Sequence, residues 1–235
     1  MKKLFLHIFL VLVFCNAGIA QELIKIPVHV HIVQIEEGDY KTITTPEDVR
    51  EDFKNANWIW AQANIFWDVI AIDQTEANTT GFSSETKWIS VNYKPIEDYR
   101  KALKDKSHRE TFLRRLEIIS KLIQSEKYQN YSAINVYYLP TLFGTSCGYT
   151  AMCQTKSCRR SNEAFSVLAH YHPGGWECFE SRRTLAHELG HILGLRHKGT
   201  EGKDLMIGSS GQIITKKIAA ASRKYYNKYL KKKLN

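Results

Sequence analysis

From Leu23 to Ile35 the chain is dense in isoleucine and valine, the composition of a β-strand. Thr45-Pro46-Glu47-Asp48 then carries the marks of a helix start. Threonine suits the N-cap, proline the first helical position, and the acids the first turn. Val49, Phe53, Ala56, Trp60 and Ala63 recur at i, i+4, i+7, i+11 and i+14, a single apolar stripe. Phe66 to Ile72 predicts a second strand and Lys87 to Tyr93 a third. Ser107 and Glu110 fit a capping box, followed by Phe112, Leu116, Ile119 and Ile123 on one helix face. Ala133 to Leu139 predicts a strand ended by Pro140, and Ala164 to Ala169 a short one. Ile214, Ile218, Tyr225 and Tyr229 fall at helical spacing, so a last helix should dock by that face. With no internal repeat and no low-complexity linker, this is the pattern of one compact domain mixing strands and helices.

The first twenty residues stand apart. Lys2 and Lys3 precede an apolar run from Leu4 to Phe14 broken only by His7, and small Gly18 and Ala20 lie just before Gln21. This is the layout of a secretory signal peptide, residues 1–20. The run falls short of the ~20 residues of a spanning helix, and no other stretch approaches that length, so no membrane span is expected after its removal. The mature protein, from residue 21, is expected to be secreted or extracytoplasmic, the periplasm included.

Composition narrows the class. A hydrophobic share of 43% and a charged share of 24% exclude a disordered, collagen-like or coiled-coil chain. The formal charge of +9 is uneven: Gln212 to Asn235 holds eight Lys or Arg residues and no acid. A basic tail can serve nucleic acid or an anionic surface, but no aromatic–basic interleaving accompanies it. A docked helix with a solvated lysine face accounts for the same residues, and no nucleic-acid partner is expected. Export also changes the cysteines. Cys15 leaves with the signal, and Cys147, Cys153, Cys158 and Cys178 can form two disulfides in an oxidising compartment, with three connectivities open. The competing four-cysteine zinc site lacks the paired C-x-x-C knuckles it would need. All four fall between Tyr138 and Ser181, where they would pin a loop region.

The chemistry is concentrated after Arg182. His187 and His191 are four residues apart, which on a helix sets both imidazoles on one face, one turn apart. That is the spacing for two ligands of one tetrahedral zinc. Glu188 then lies beside the metal rather than on it, placed to take a proton from a water the metal activates. His197 follows His191 by six residues, and a continuing helix would carry it roughly 240° away from that face. The chain must therefore turn sharply, and Gly194 allows the turn because glycine accepts positive φ without a Cβ penalty. Three histidines leave the fourth position of one catalytic Zn2+ open.

His187-Glu188-x-x-His191-x-x-Gly194-x-x-His197 followed by Asp204-Leu205-Met206 resembles the metzincin clan of zinc metallopeptidases. The motif spans only His187 to Met206 but is highly specific. Lys198, after the third histidine, assigns no subfamily. The resemblance implies an α+β, zincin-like domain over residues 21–235 with a mixed twisted sheet, an active-site helix and a small C-terminal subdomain ending in a helix. The N-terminal subdomain would run to about residue 194 and the C-terminal one over 195–235. It implies that Met206 forms a methionine turn beneath the zinc without binding it. It implies too that a protein or peptide substrate runs along an edge strand ahead of the active-site helix, by order Ala164 to Ala169. The helix after Ser107 would be an insertion in that plan.

The expected activity is a secreted zinc endopeptidase. The alternative is a non-catalytic or toxin-like protein that keeps the zinc scaffold and acts by docking; Glu188 argues against it, since a structural site has no use for a free carboxylate beside an open position. His170 and His172 are expected in a loop entering the cleft rather than in a second zinc site. His29 and His31 alternate on a strand and are expected to pack. Nothing in the sequence sets the oligomeric state.

Overall fold

The computed structural model describes residues 21–34, 42–76, 132–141, 147–151, 165–171, 183–197, 203–206 and 211–234. The signal segment expected at 1–20, the strand expected at 87–93 and the helix expected after Ser107 lie outside the described residues.

Five strands form one sheet: β1 (Ile24–Gln34), β2 (Ile65–Glu76), β3 (Ile134–Thr141), β4 (Gly148–Ala151) and β5 (Phe165–Tyr171). Their order is β2-β1-β3-β5-β4. The first four in that order are parallel, and β4 runs antiparallel to β5. Flanked by β2 and β3, β1 alternates in burial along its first half and turns one apolar face into the core. Ile24, Ile26, Val28, Val30 and Ile32 enter the core on one face, while His31 and Val33 are buried on the other.

A parallel pair needs a crossover, and α1 (Pro46–Trp60) supplies the one from β1 to β2. It starts as the sequence predicts, at Thr45. The Asp48 N–H donates to Thr45 Oγ1 at 3.2 Å, and Asp48 Oδ2 accepts from the Thr45 N–H at 2.8 Å. The stripe Val49, Phe53, Ala56, Trp60 and Ala63 is buried throughout. Asn64 takes left-handed φ of 52° to turn the chain into β2, a conformation asparagine tolerates. Asn57 then acts as a strand partner for Trp67: it donates to the Trp67 carbonyl at 3.0 Å and accepts from the Trp67 N–H at 2.8 Å.

The second helix, α2 (Thr184–Ile192), packs on α1, β4 and β5. The Trp60 indole N–H donates to the Ala186 carbonyl at 3.0 Å, a buried bond from the end of α1 to the middle of α2. The chain ends in α3 (Lys216–Tyr225), a π turn (Tyr226–Leu230) and α4 (Lys231–Leu234). Its lysines 216, 217, 224, 228, 231 and 232 are exposed, as a solvated face requires. Arg223 is different: its guanidinium donates to the Ala63, Asn64 and Glu22 carbonyls at 3.2, 3.2 and 2.8 Å. Among the described residues no helix is long and apolar enough to cross a membrane.

Several expectations are corrected. β3 continues through Pro140, because its ladder with β1 stops at Tyr138 and the missing N–H costs no bond there. β5 is an interior strand reaching Tyr171, so His170 belongs to a strand rather than a loop; the edge is β4. His172 lies outside the described residues. Tyr229 is exposed and Leu230 takes the buried place, because the π turn adds a residue and shifts the face by one position. Cys147, just ahead of β4, is disulfide-bonded, while Cys153, Cys158 and Cys178 lie outside the described residues.

Beneath the sheet the Tyr138 hydroxyl donates to Asp52 Oδ2 at 2.9 Å. Burial pushes the Asp52 carboxyl up to about 7; Asp48 and Glu51 add to this and the tyrosine bond opposes it. A carboxyl raised above its unfolded value favours the fold while protonated, so that contribution fades as pH rises from about 4 through 7. Asp52→Asn should therefore lose less stability than wild type between pH 5 and pH 8. Denaturant midpoints that fall in parallel for both proteins over that range would contradict this.

Candidate metal centre

α2 brings His187 and His191 to one face one turn apart, while Leu185, Ala186, Leu189 and Ile192 bury the rest of the helix. The helix ends in a Schellman closure. The Gly194 N–H donates to the His191 carbonyl at 2.9 Å and the Leu195 N–H to the Gly190 carbonyl at 3.1 Å. Gly194 has φ of 75°, the left-handed conformation expected of it. The reversal brings His197 back against the other two rings. Its Nε2 lies 2.8 Å from His187 Nε2 and 3.1 Å from His191 Nε2.

The far side of each helix ring is fixed by backbone. His187 Nδ1–H donates to the Leu205 carbonyl and His191 Nδ1–H to the Leu195 carbonyl, both at 2.8 Å. A neutral ring that donates from Nδ1 offers a lone pair at Nε2. Burial holds the His187 ring down at about 4 and lowers His191 as well, so both are neutral near pH 7. Lone pairs gathered at hydrogen-bond distance repel one another unless they share a cation. These three residues therefore fit a metal ion, and the Nδ1 bonds are the outer contacts that orient such ligands.

Leu205 and Met206 come from a turn closed against the approach to α3: the Leu205 N–H donates to the Ile213 carbonyl at 2.9 Å, and the Ile213 N–H to the Lys203 carbonyl at 3.0 Å. Met206 is buried, and its Sδ occupies the space a Cβ on Gly190 would need, 2.5 Å away. The predicted methionine thus packs beneath α2, one residue from His191.

Glu188 lies on the buried side. Its Oε2 accepts from Thr150 Oγ1 at 2.6 Å, and Thr150 Oγ1 is 2.9 Å from Ser166 Oγ. A Cβ on Gly148 would come within 2.6 Å of Glu188 Cγ, so β4 can pass only with glycine there. Burial raises the Glu188 carboxyl to about 7, and the Thr150 bond opposes the shift. Gly148, Thr150 and Ser166 were not singled out by sequence. Their signal is weak: a four-residue strand with glycine and alanine shows no apolar alternation.

Gly194→Ala tests the turn. The alanine Cβ would meet the Tyr225 ring, and left-handed backbone costs a non-glycine residue about 1–2 kcal/mol. Lower thermal stability and weaker metal retention are expected together. An alanine variant matching wild type in both would show that the left-handed turn is dispensable.

No family model and no curated protein matches the chain. Among solved structures it is similar to mirolysin in complex with a compound, at 12% identity and a TM-score of 0.52, over 91% of this chain and 96% of that one. A Tannerella forsythia promirolysin mutant matches at 14% identity and a TM-score of 0.51, over 92% and 85%. Metalloproteinase-II from Bacteroides fragilis matches at 14% identity and a TM-score of 0.47, over 87% and 55%, so the chain spans about half that protein's length. The likeness is one of fold: the chain has the α+β fold of metallopeptidase structures.

Proposed function

We propose that the chain is a secreted zinc-dependent endopeptidase, with residues 1–20 removed as a signal and residues 21–235 working as one catalytic domain. The observation that carries this reading is the convergence of three imidazole Nε2 atoms, two of them from the helix that also carries the buried carboxylate of Glu188. His187, His191 and His197 would hold the ion. A bound zinc supplies Lewis acidity, polarising the scissile carbonyl and acidifying water.

The remaining work falls to protein groups. Glu188 takes a proton from the attacking water as the carbon–oxygen bond forms. It then delivers that proton to the amine nitrogen as the carbon–nitrogen bond breaks. Thr150 holds the carboxylate in place between turnovers, supported by Ser166. Met206 and Leu205 keep α2 and the His187 ring fixed. The substrate binds extended along the edge of β4, the outer strand of the sheet among the described residues, where backbone pairing aligns it without reading its sequence. That position adjoins Glu188 through Gly148 and Thr150. The division near residue 194 separates the sheet and α2 from the turn and last helix. The four cysteines outside the signal form two disulfides around β4 and the segment after it.

Glu188→Gln keeps size and shape but cannot accept a proton. It should retain zinc and lose peptide hydrolysis by ~10²–10⁴-fold. His187→Ala should lose both. Wild-type cleavage by the Gln variant would refute the mechanism. A wild-type protein that binds zinc yet cleaves nothing in a mixed peptide library would favour the docking alternative.

Thr150→Val removes the hydroxyl at nearly constant volume. If Thr150 positions the base, kcat should fall while zinc content and KM stay near wild type, and Thr150→Ser should recover most of the loss. Equal activity in the Val and wild-type proteins would leave Thr150 a packing residue.

A further inference from the structure

The face of the sheet away from α1 and α2 carries a second group of metal-ligating side chains. His29 and His31 project from β1, with Asp73 opposite His31 on β2 and Asn135 opposite His29 on β3. One nitrogen from each histidine and one Asp73 carboxylate oxygen lie within 4.8 Å of one another. The rings are close, their centroids 4.2 Å apart, and Tyr137 stacks on His31 at 4.6 Å. Packing alone explains that proximity, but it does not explain the polar atoms.

Each imidazole has one nitrogen engaged and one left over. His31 Nε2 is 3.0 Å from Asn135 Oδ1, which only accepts, so that nitrogen carries the hydrogen and Nδ1 of the neutral ring is a lone pair. His31 is fully buried, and burial lowers its tendency to take a second proton. His29 Nε2 lies 2.5 Å from Asp73 Oδ2. Among the described residues, neither Nδ1 has a hydrogen-bond partner, although both atoms are buried. Natural structures rarely leave two such atoms unsatisfied side by side. The arrangement matches how metal-binding histidines are held: the outward nitrogen donates to a carboxylate or carbonyl, which orients the ring and raises the basicity of the other nitrogen. Asp73, half-exposed on its strand, adds a negative charge and a route from solvent.

We infer that the Nδ1 atoms of His29 and His31 form a second metal site, for a divalent first-row transition-metal ion, with Asp73 orienting His29 and Asn135 orienting His31. Two imidazoles select such an ion over calcium or magnesium, which favour all-oxygen sets, and the Asp73 carboxylate behind His29 strengthens its free nitrogen as a ligand. The site is independent of the three-histidine centre, since it lies on the opposite side of the sheet from α2.

The test is zinc stoichiometry in the full chain, loaded with Zn2+, freed of excess metal and measured by elemental analysis. Wild type should hold two ions, with His187→Ala and Asp73→Asn each holding one. Asp73→Asn is the mild variant, because its side chain is half-exposed. His29→Gln should behave alike, and a calorimetric zinc titration of the His187→Ala protein should show one site. In that background Asp73→Asn should weaken the site by at least the ~10–100-fold that losing an outer partner costs. One ion in wild type, lost on His187→Ala and kept in Asp73→Asn, overturns this site and leaves the peptidase reading intact. One ion lost only on Asp73→Asn would instead sustain this site and remove the metal from the peptidase reading. Two ions in a folded Asp73→Asn protein with unchanged affinity also overturns it.

Discussion

The site depends on α2 stopping after Ile192. A straight helix would carry His197 about 240° away from the face that holds His187 and His191. The left-handed turn at Gly194 reverses the chain, and three features share it. The Leu195 N–H closes the helix on Gly190, while the Leu195 carbonyl accepts from His191 and so fixes a ring of the metal centre. Gly190 also leaves room for Met206 Sδ, and Gly194 leaves room for the Tyr225 ring. One turn therefore couples the helix end, the ligand orientation, the methionine turn and the last helix. A side chain at either glycine would disturb more than local backbone.

The terminal helix is held by two kinds of force, of comparable size. Ile214 and Leu230 are almost fully buried, and burial of such side chains contributes ~1.5–3 kcal/mol each. Arg223 makes three bonds to carbonyls near the surface, and Gln62 bonds both the Gln212 carbonyl and the Ile214 N–H. A typical intramolecular hydrogen bond nets only ~0.5–1.5 kcal/mol. Apolar docking and the polar bonds thus share the stability, and the directional polar bonds also choose the angle. That angle matters because the same helix presses Tyr225 onto Gly194.

How legible the molecule was depends on the range of each signal. The first strand, the capped helix at Thr45 and its stripe from Val49 to Ala63 are local patterns, and all appear as read. So do the histidine spacing and the need for a turn at Gly194, because both follow from helix geometry. The exposed Tyr229 escaped because a π turn has no periodic signature and moves the buried face to Leu230. β4 escaped because Gly148 and Ala151 offer no alternation, and with it went Thr150, whose role depends on contact with a residue 38 positions away. The carbonyls of Leu195 and Leu205 were invisible for a simpler reason: any residue has one. His29 and His31 were read as packing, and stacking on Tyr137 agrees; their orphaned nitrogens emerge only when β2 and β3 are placed beside β1.

The buried carboxylate poses the central physical problem of the site. A carboxylate held away from water is costly, and burial pushes Glu188 up to about 7. Complete exposure would relieve that cost but would let water compete for its position. The sheet supplies a compromise in Thr150, one short bond from an edge strand only four residues long, backed by Ser166 on the neighbouring strand. Gly148, on the same strand, keeps the space that the glutamate stem fills. The strand proposed to align the substrate is thus the one that holds the proposed base. A change in β4 that shifted the substrate's backbone would also shift the carboxylate, so binding and proton transfer should be hard to separate by mutation in this strand. The hydroxyl of Thr150 is the exception, because it touches the base without contributing to the backbone edge.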